Sequence, residues 1–225
     1  TVLVTAGPTR EPIDPVRYIT NRSSGKMGYA IAAAAHALGA RVIVISGPVS
    51  RQEPRGADVV PVETAEEMHA ATHERIAQAD IFIAAAAVSD YRPTESSARK
   101  IKKTRDTMTL ELVRSPDILA SVAALDDAPF TVGFAAETDN VREYARAKLD
   151  NKKLDMIVAN RVGADCGFDH DDNAAELLWA DGEKAFDKMP KSELADRLMD
   201  VIAARFFETR GADTEPALSI VSIKE

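Results

Sequence analysis

The sequence predicts a doubly wound α/β fold with a mostly parallel sheet, and two observations support this class. Short β-branched or apolar runs alternate with segments of helical periodicity along most of the 225 residues. That alternation is typical of parallel strands covered by helices on both faces. Apolar residues make up 45% of the chain and charged residues 28%, a balance that indicates a folded domain rather than a disordered chain. The expected arrangement is Rossmann-like.

Strands and helices are expected in alternation, and several helix ends carry recognisable signals. The strands are expected at residues 2–5, 41–45, 58–62, 81–88, 131–135 and 155–159. The helices are expected at residues 26–38, 65–78, 116–125, 141–152 and 191–207. Gly39 follows the first helix as a C′ glycine, and Thr64 with Glu67 forms a capping box before the second. Ser115 is expected to cap the third helix, with Pro116 at its first position.

Three segments interrupt the alternation. Residues 6–24 form a long loop between the first strand and the first helix. The polar, basic stretch 91–114 ends in the apolar run LELV and is interpreted as a hairpin arm. Residues 176–186 are expected to form a hairpin that turns at Asp181-Gly182. We expect one domain over residues 1–210; the tail 211–225 has no assigned role, and its LSIVSI run fits either an edge strand or a loose end.

Charge and composition restrict the classes of partner. A net charge of −8 argues against nucleic acid. The sequence contains no apolar run of the roughly 20 residues needed to cross a bilayer, so no membrane partner is expected. A single cysteine, Cys166, excludes an internal disulfide and fits a cytoplasmic protein. Because the chain starts at Thr1 directly in a predicted strand, we expect it to be part of a longer polypeptide.

The stretch NRSSGKMG, residues 21–28, precedes the first helix and suits an anion. It matches neither the Walker A pattern nor the dinucleotide-binding glycine pattern. Ser23, Ser24 and Gly25 nevertheless lie at a helix N-terminus, where backbone N–H groups lack partners within the helix. The alternative is structural: Ser24 caps the helix and Gly28 allows close helix–sheet contact. The helix start alone does not decide between them.

Other polar residues are expected at the same edge of the sheet, because open α/β sheets bind ligands at the carboxyl ends of their strands. The loop 6–24 supplies Arg10, Arg17 and Arg22, which are ordinary surface residues if no anion binds. It also supplies Asn21, whose amide can both donate and accept. The fourth strand ends in four alanines, 84–87, which allow either close approach of a ligand or tight packing under a helix.

Two further candidates follow that strand. Asp90 can ligate Mg²⁺ or accept hydrogen bonds from a nucleotide. The run RKIKK, 99–103, is usually only a solvated face, but in an extended arm Lys100 and Lys102 would point the same way and could hold a triphosphate.

Several other signals are discounted. Tyr144 and Lys148 have the YxxxK spacing of short-chain dehydrogenases, but the accompanying glycine pattern is missing. His69 and His73 lack a third ligand, so a solvated helix face is expected rather than zinc. The acidic run DHDDN, 169–173, is interpreted as a surface turn, and Cys166 as a bystander.

Taken together, six blocks resemble the phosphopantothenoylcysteine synthetase family, in the family's order. They are TAGPTREPIDPVRYITNRSSGKMG, AAAAVSDYRP, KIKK, SPDIL, VGFAAET and NKKLDMIVAN. The resemblance covers residues 2–207. It implies a ligase of coenzyme A biosynthesis that joins 4′-phosphopantothenate to L-cysteine, using CTP and Mg²⁺. It also implies a homodimer in which the arm lies near the partner and covers the active site. Bacterial members are usually fused to an N-terminal flavin-dependent decarboxylase, and FMN is expected only on that domain.

The resemblance also implies roles for individual residues. Asn21 and Lys100 are expected to be catalytic, and Arg17 and Asn21 to bind phosphopantothenate. Asp90 is the candidate metal ligand. Together with the small and hydroxyl residues singled out above, the expected CTP-binding set is Ser23, Ser24, Gly25, Ala84, Ala85, Ala86, Asp90, Lys100, Pro116, Asp117, Ile118, Leu119, Phe134, Lys148 and Lys152.

Two other functions were weighed against this ligase. One is an NAD(P)-linked oxidoreductase on the same fold, and the other is a nucleotide-binding module without catalysis. Nicotinamide binding would favour the first, and CTP binding without turnover would favour the second.

Overall fold

The computed structural model describes residues 1–103, 106–137, 139–161 and 171–210. The strands, in chain order, are β1 Val2–Ala6, β2 Arg10–Pro12, β3 Tyr18–Thr20, β4 Val42–Ser46, β5 Ala57–Pro61, β6 Ile81–Ala84, β7 Tyr91–Pro93, β8 Leu112–Arg114, β9 Phe130–Glu137, β10 Met156–Arg161, β11 Asp172–Trp179 and β12 Gly182–Pro190. The helices are α1 Lys26–Ala37, α2 Ala65–Arg75, α3 Ile118–Ala123, α4 Val141–Lys152 and α5 Lys191–Arg210, with a 3₁₀ turn at Ile76–Gln78 after α2.

The central sheet has eight strands in the order β12-β11-β10-β9-β6-β1-β4-β5. Six neighbouring strands are parallel: β10, β9, β6, β1, β4 and β5. The β11–β12 hairpin adds two antiparallel strands beside β10. Numbered along the chain, the parallel strands lie in the order 3-2-1-4-5-6, the doubly wound arrangement. The predicted fold class is therefore confirmed. The order reverses between β1 and β6, and the carboxyl ends of these strands border the crevice where such folds bind ligands.

Each face of the sheet carries its own apolar core, because neighbouring side chains of a strand point to opposite faces. On one face Val2 and Val4 of β1 pack with α1 and α5. On the other, Leu3 packs with α2, α3 and α4. The continuous burial of β1 and β4 follows from this two-sided cover.

Two of the three predicted helix-end signals are confirmed. Thr64 accepts from the Glu67 N–H and the Glu67 carboxylate accepts from the Thr64 N–H, forming the capping box. Gly39 has a φ of 88° beyond the end of α1. The Ser115 cap is wrong: α3 begins two residues later, and Asp117 caps it by accepting from the Ala120 N–H. An aspartate in the expected first turn competes successfully because its carboxylate is a strong cap.

The predicted strand 81–88 is too long, since β6 ends at Ala84. Beyond it the chain continues beside the loop after β1: Pro8 and Ala87 form an isolated parallel bridge, and the Ala87 N–H donates to the Gly7 carbonyl. The four alanines are half-buried. Ala84 is the last residue in the sheet and residues 85–87 leave it at its carboxyl edge. An apolar sequence does not reveal where such a strand stops.

Loop and hairpin predictions are partly right. The long loop contains an unforeseen two-stranded ribbon, β2 paired with β3. Among the described residues of the arm, the strand pairing lies at its base, where β7 meets β8 in three residue pairs and the Thr94 N–H donates to the Glu111 carbonyl just beyond them. Lys100 and Lys102 lie outside any strand, so the argument that alternation points them the same way does not hold. The last hairpin is confirmed with longer strands, and its turn is Ala180-Asp181.

The remaining predictions either differ from the structure or fall on residues outside the described ranges. Residues 211–225 and Cys166 lie outside the described residues, as do the first two residues of the DHDDN run. His73 is not on a fully solvated face: its Nε2 lies 2.8 Å from the Ser121 hydroxyl, because α3 packs on α2. No helix in the described ranges is long and apolar enough to span a membrane.

Candidate active site

Two cavities lie side by side at the carboxyl edge of the parallel sheet. The larger has a volume of about 520 Å³ and the smaller about 120 Å³. Ala86 and Phe134 line both, so the cavities meet at these side chains. Thr5 at the end of β1 and Ala84 at the end of β6 line the larger one. The site therefore lies at the point where the strand order reverses.

The structure brings nearly all of the expected CTP-binding positions to these cavities. Those that line the larger are Ala84, Ala86, Asp90, Pro116, Asp117, Ile118, Leu119, Phe134, Lys148 and Lys152. Those that line the smaller are Ser23, Ser24, Gly25, Ala85, Ala86 and Phe134. Arg17, Asn21 and Lys100 are not among the described residues that line either cavity.

An ion pair at the start of α3 defines one wall of the larger cavity. The Lys152 ammonium donates to both oxygens of Asp117, at 2.8 and 2.6 Å. Burial raises the pKa of Asp117, but the hydrogen bond from Lys152, the Ala120 N–H and the charges of Lys152 and Lys148 outweigh it. The pKa of Asp117 therefore lies below its ordinary value. This wall holds two cations against one ionised carboxylate, a surplus that suits a phosphate.

The N-terminus of α1 opens into the smaller cavity. Gly25 takes the N-cap position in a left-handed conformation, with a φ of 75°, and caps with no side chain. Ser24 is therefore not the cap. A Cβ on Gly25 would lie 2.7 Å from the Val49 Cγ1 atom, so both its conformation and the space require glycine. The N-cap contributes no side-chain hydrogen bond, and the N–H groups of a helix start beside two serines form the kind of site that binds anions.

Gly28 has the structural role that was one of the two alternatives. A Cβ at this position would lie 2.6 Å from the Cβ of Ala6 and 3.1 Å from its Cα. The glycine lets the first turn of α1 lie directly on the end of β1. It thus determines how closely the helix N-terminus approaches the cavity.

Lys26, the first residue of α1, also lines the smaller cavity. Its ammonium lies 2.7 Å from the Asp171 carboxylate. The hydrogen bond and charge of Lys26, with further contributions from Arg51 and Lys191, lower the pKa of Asp171. Lys191 at the start of α5 is buried and also lines the cavity. Lys26, Arg51 and Lys191 thus form a second group of cations near the Asp171 carboxylate.

Asn21 joins the long loop to the alanine segment. Its side-chain Nδ2 donates to the carbonyl oxygens of Ala87 and Val88, both at 3.1 Å. With the nitrogen used in this way, the amide oxygen is turned away from these carbonyls. Asn21 therefore sits beside the alanines that separate the two cavities, although it lines neither.

Arg17 contacts a carboxylate that the sequence analysis overlooked. Its guanidinium donates to Asp14 Oδ2 through Nε at 3.1 Å and through Nη2 at 2.5 Å. Nη2 also donates to the Ile101 carbonyl at 3.2 Å, which reaches the arm next to Lys100. Asp14 precedes a proline, a typical start of a turn, and that signal was available. Its contact with residue 101 was not.

Other residues that line the smaller cavity carried weaker signals of a functional role in the sequence. Asn160 follows the expected strand 155–159 at its carboxyl end, where the ligand rule for such sheets applies. Asn173 and Lys191 come from the appended hairpin and the start of α5, and nothing local in the sequence connects them with the site. Only the packing of α5 beside α1 brings Lys191 there.

The carboxylates of the larger cavity suit a metal that arrives with phosphate. The described part of the chain contains no group of three or more His, Cys, Asp or Glu side chains positioned to hold a metal. Mg²⁺, however, is usually bound through one or two carboxylates together with substrate phosphates and water. Asp90 lines the cavity and fits that role, whereas Asp117 is already paired with Lys152.

A doubly wound domain with a divided, cation-lined cavity at its switch point defines a class: Rossmann-like domains that bind an anionic ligand at the sheet edge. Comparison with known proteins narrows this class. The chain belongs to the family described as the DNA/pantothenate metabolism flavoprotein C-terminal domain, whose model matches residues 1–206. The family resemblance predicted from the six sequence blocks is confirmed.

Individual relatives agree with this assignment. The coenzyme A biosynthesis bifunctional protein CoaBC of Vibrio cholerae is 54% identical over 205 residues, which cover 89% of this chain and 51% of that protein. The protein of the same name from Escherichia coli K12 is 51% identical over 212 residues, covering 92% and 52%. The crystal structure of the C-terminal domain of CoaBC superposes with a TM-score of 0.78 at 39% identity, covering 92% of this chain and 95% of the other. The chain spans about half the length of the curated relatives.

Proposed function

We propose that this chain is a phosphopantothenate–cysteine ligase of coenzyme A biosynthesis, occupying residues 1–210, that uses CTP and proceeds through an acyl-cytidylate. The observation that carries the proposal is the pair of joined cavities at the switch point, lined by Lys148 and Lys152 on one side and by the N-terminus of α1 on the other. Relatives of about 50% identity are named for coenzyme A biosynthesis.

The larger cavity suits the nucleotide. Its volume of about 520 Å³ lies within the usual range for small-molecule sites. Ala84 and Ala86 leave the sheet edge open to a flat ring, and Phe134 offers an apolar contact. We place the cytidine here and the phosphates between Lys148 and Lys152 on one side and the N–H groups of α1 on the other. That placement sets the α-phosphorus near Ala86 and Phe134, where the cavities meet.

The reaction then needs two displacements. The phosphopantothenate carboxylate attacks the α-phosphorus of CTP, the bond to the β-phosphate oxygen breaks, and pyrophosphate leaves. The cysteine amine attacks the acyl carbon of the resulting cytidylate, the acyl carbon–oxygen bond breaks, CMP leaves, and the amine loses a proton. A protein nucleophile is not required, so the residues act by position and charge.

The named residues take roles consistent with their contacts. Lys148 and Lys152 offset phosphate charge, and Arg17 and Lys100 approach from the loop and arm. Asn21 is positioned by its hydrogen bonds to the carbonyls of residues 87 and 88. It stabilises the mixed anhydride as negative charge develops on the acyl oxygen of the anhydride. Asp90 would hold Mg²⁺ against the phosphates, where the ion supplies further charge neutralisation.

We further propose a homodimer formed through the arm. Of the eleven exposed large apolar side chains among the described residues, seven lie at 16–18 and 91–113. They are Val16, Tyr18, Tyr91, Ile101, Met108, Leu112 and Val113. A concentration of exposed apolar residues on one loop and the adjoining arm marks an interaction surface. In the whole protein we expect an N-terminal flavin decarboxylase domain that alone binds FMN, and a cytoplasmic location.

The deciding experiment is sustained pyrophosphate release measured with each of the four nucleoside triphosphates. The proposal expects turnover that requires CTP, phosphopantothenate and cysteine together. Binding of CTP without turnover would favour a silent nucleotide module, and binding of a nicotinamide cofactor would favour an oxidoreductase; either result would overturn the ligase.

Lys148→Gln tests the position of the phosphates, with Lys153→Gln as a matched control. Lys148 lines the larger cavity, whereas Lys153 is exposed and lies outside its lining. Loss of a charged contact costs about 1.5–3 kcal/mol, so the apparent KM for CTP should rise at least about tenfold in Lys148→Gln alone. Equal effects from the two variants would contradict this placement of the nucleotide.

A further inference from the structure

Asp14 is a buried carboxylate whose contacts reach beyond its own loop. Its side chain is fully buried, which is rare for aspartate unless it is paired. Oδ1 accepts from the N–H groups of Val16 and Arg17, both at 2.9 Å. Oδ2 accepts from the Arg17 guanidinium and, at 3.1 Å, from the N–H of Ile101. One oxygen therefore organises the local turn, and the other holds the arm.

The Asp14 carboxylate is ionised at neutral pH. The hydrogen bond from the Arg17 side chain, followed by those from the backbone N–H groups, holds the pKa of Asp14 well below its ordinary value despite the opposing effect of burial. Asp14 is thus a permanent acceptor facing donors from two separate segments of the chain.

Two more hydrogen bonds join the same segments. The Arg17 Nη2 donates to the Ile101 carbonyl at 3.2 Å, and the Ser97 N–H donates to the Ile13 carbonyl at 3.0 Å. Within the described part of the arm, the two-stranded pairing covers residues 91–94 and 111–114. Residues 98–103 are exposed, so in the described part of the chain they depend on these contacts, rather than on burial, for their position.

The anchored residue lies directly after Lys100. Fixing both the N–H and the carbonyl of Ile101 fixes the direction in which the chain leaves Lys100. The other end of the contact is residues 13–17, which continue through β3 to Asn21. Asp14 therefore connects the two segments that carry Asn21 and Lys100.

We infer that Asp14 is a positioning residue, whose buried carboxylate holds Ile101 on the loop 13–17 and thereby directs Lys100 to the phosphates of the nucleotide. This inference rests on the proposed function. Asp14 acts through Lys100 and touches no substrate itself.

Asp14→Asn separates the two functions of the carboxylate. The amide oxygen can keep the contacts of Oδ1 with Val16 and Arg17. The amide nitrogen then replaces Oδ2 and faces three N–H donors, from which it cannot accept. Glu95→Gln is the matched control, since it neutralises an exposed carboxylate elsewhere in the arm.

The first measurement is hydrogen–deuterium exchange of the ligand-free protein. Loss of the charged contact should speed exchange of the Ile101 amide by about tenfold in Asp14→Asn, while Glu95→Gln exchanges as the parent does. Unchanged exchange at Ile101 would overturn the anchor even in an active enzyme. If Asp14→Asn does not fold, Arg17→Lys tests the same contact, because an ammonium cannot hold both Asp14 and the Ile101 carbonyl as the planar guanidinium does. Faster exchange over residues 97–103 is again expected, and unchanged exchange would overturn the anchor.

The second measurement is a double-mutant cycle with Lys100→Gln. Each single variant should raise the apparent KM for CTP by about tenfold and leave that for cysteine unchanged. If Asp14 acts through Lys100, the double variant should be no worse than Lys100→Gln, because coupled residues are not additive. A double variant in which the two losses multiply would overturn the positioning role. A parent protein without CTP-dependent pyrophosphate release would overturn the proposed function and the direction of Lys100 with it; the exchange result would still show whether Asp14 holds the arm.

Discussion

Asp117 performs two tasks in the larger cavity, and two substitutions separate them. Its Oδ1 accepts from the Ala120 N–H at 3.0 Å and caps α3, while both oxygens accept from Lys152. Asn keeps an oxygen for the cap but loses the ionic partner of Lys152. Ala loses both contacts.

The expected magnitudes follow from exposure. The side chains of Lys152 and Asp117 are 24% and 52% exposed, so their pair should contribute only about 0.2–1 kcal/mol. An N-cap of this kind contributes about 1 kcal/mol. Asp117→Asn should therefore lower the free energy of unfolding by less than about 1 kcal/mol, and Asp117→Ala by about 1 kcal/mol more than Asn.

Urea denaturation followed by the fluorescence of Trp179, the single tryptophan, measures both variants. Equal destabilisation by Asn and Ala would refute the cap, and an Ala variant as stable as the parent would refute both contacts. Because Asn keeps the start of α3 in place, a change in the KM for CTP in that variant reports the carboxylate itself and not a displaced helix.

The pH dependence supplies a second check on the ion pair. The pKa of Asp117 in the folded protein lies below its ordinary value of 3.8, so below about that pH the unfolded chain binds more protons than the folded one. The stability contributed by the ionised carboxylate is therefore complete above that value and is lost as the pH falls through the folded pKa. The difference between the parent and Asp117→Asn should persist from pH 7 to about 4 and fade below it. A difference that grew on acidification would contradict the pairing.

Two further substitutions test other parts of the site. Asn21→Asp places a carboxylate against the carbonyls of residues 87 and 88, where it cannot donate; it should still bind CTP and form the acyl-cytidylate but stall before amide formation. Rapid-quench detection of the cytidylate measures this, and unchanged overall turnover would refute the role of Asn21. Gly28→Val forces branched atoms into the contact with β1, and overpacking of this kind costs about 1–3 kcal/mol. The control Ala33→Val, at an exposed position of the same helix, should change the free energy of unfolding far less; equal losses in urea midpoints would contradict the close contact.

The parts of the fold that sequence predicts well are those determined by local interactions or by periodicity. Thr64 with Glu67 begins α2, and Gly39 follows the end of α1, through contacts within a few residues. Both signals were predicted. The six parallel strands followed from their apolar runs. The end of β6 could not be predicted, because the segment after Ala84 remains apolar while its backbone partner changes from a neighbouring strand to the loop after β1.

The candidate site shows the same division. A rule about the carboxyl ends of parallel strands predicted the edge at which the two cavities lie, and the family's motif blocks identified many of the residues that line them. The sequence could not show that Lys26 and Lys152 are paired with Asp171 and Asp117. These partners lie 145 and 35 residues apart, and only the packed fold brings them together.

Those pairings explain how a chain of net charge −8 can offer cations to a polyanion. A buried or half-buried lysine without a counter-ion would be costly to desolvate, and here a carboxylate stabilises Lys26, Lys152 and Arg17 in the ligand-free protein. When a phosphate binds, it must compete with that carboxylate. The favourable free energy of binding is therefore the difference between two ionic contacts and not the full strength of one. The same carboxylates also hold the cations in place before binding, which lowers the conformational cost of association. Under the proposed function, the ion pairs would reduce the affinity for the nucleotide while improving the geometry for displacement at phosphorus, the balance that favours turnover over tight binding.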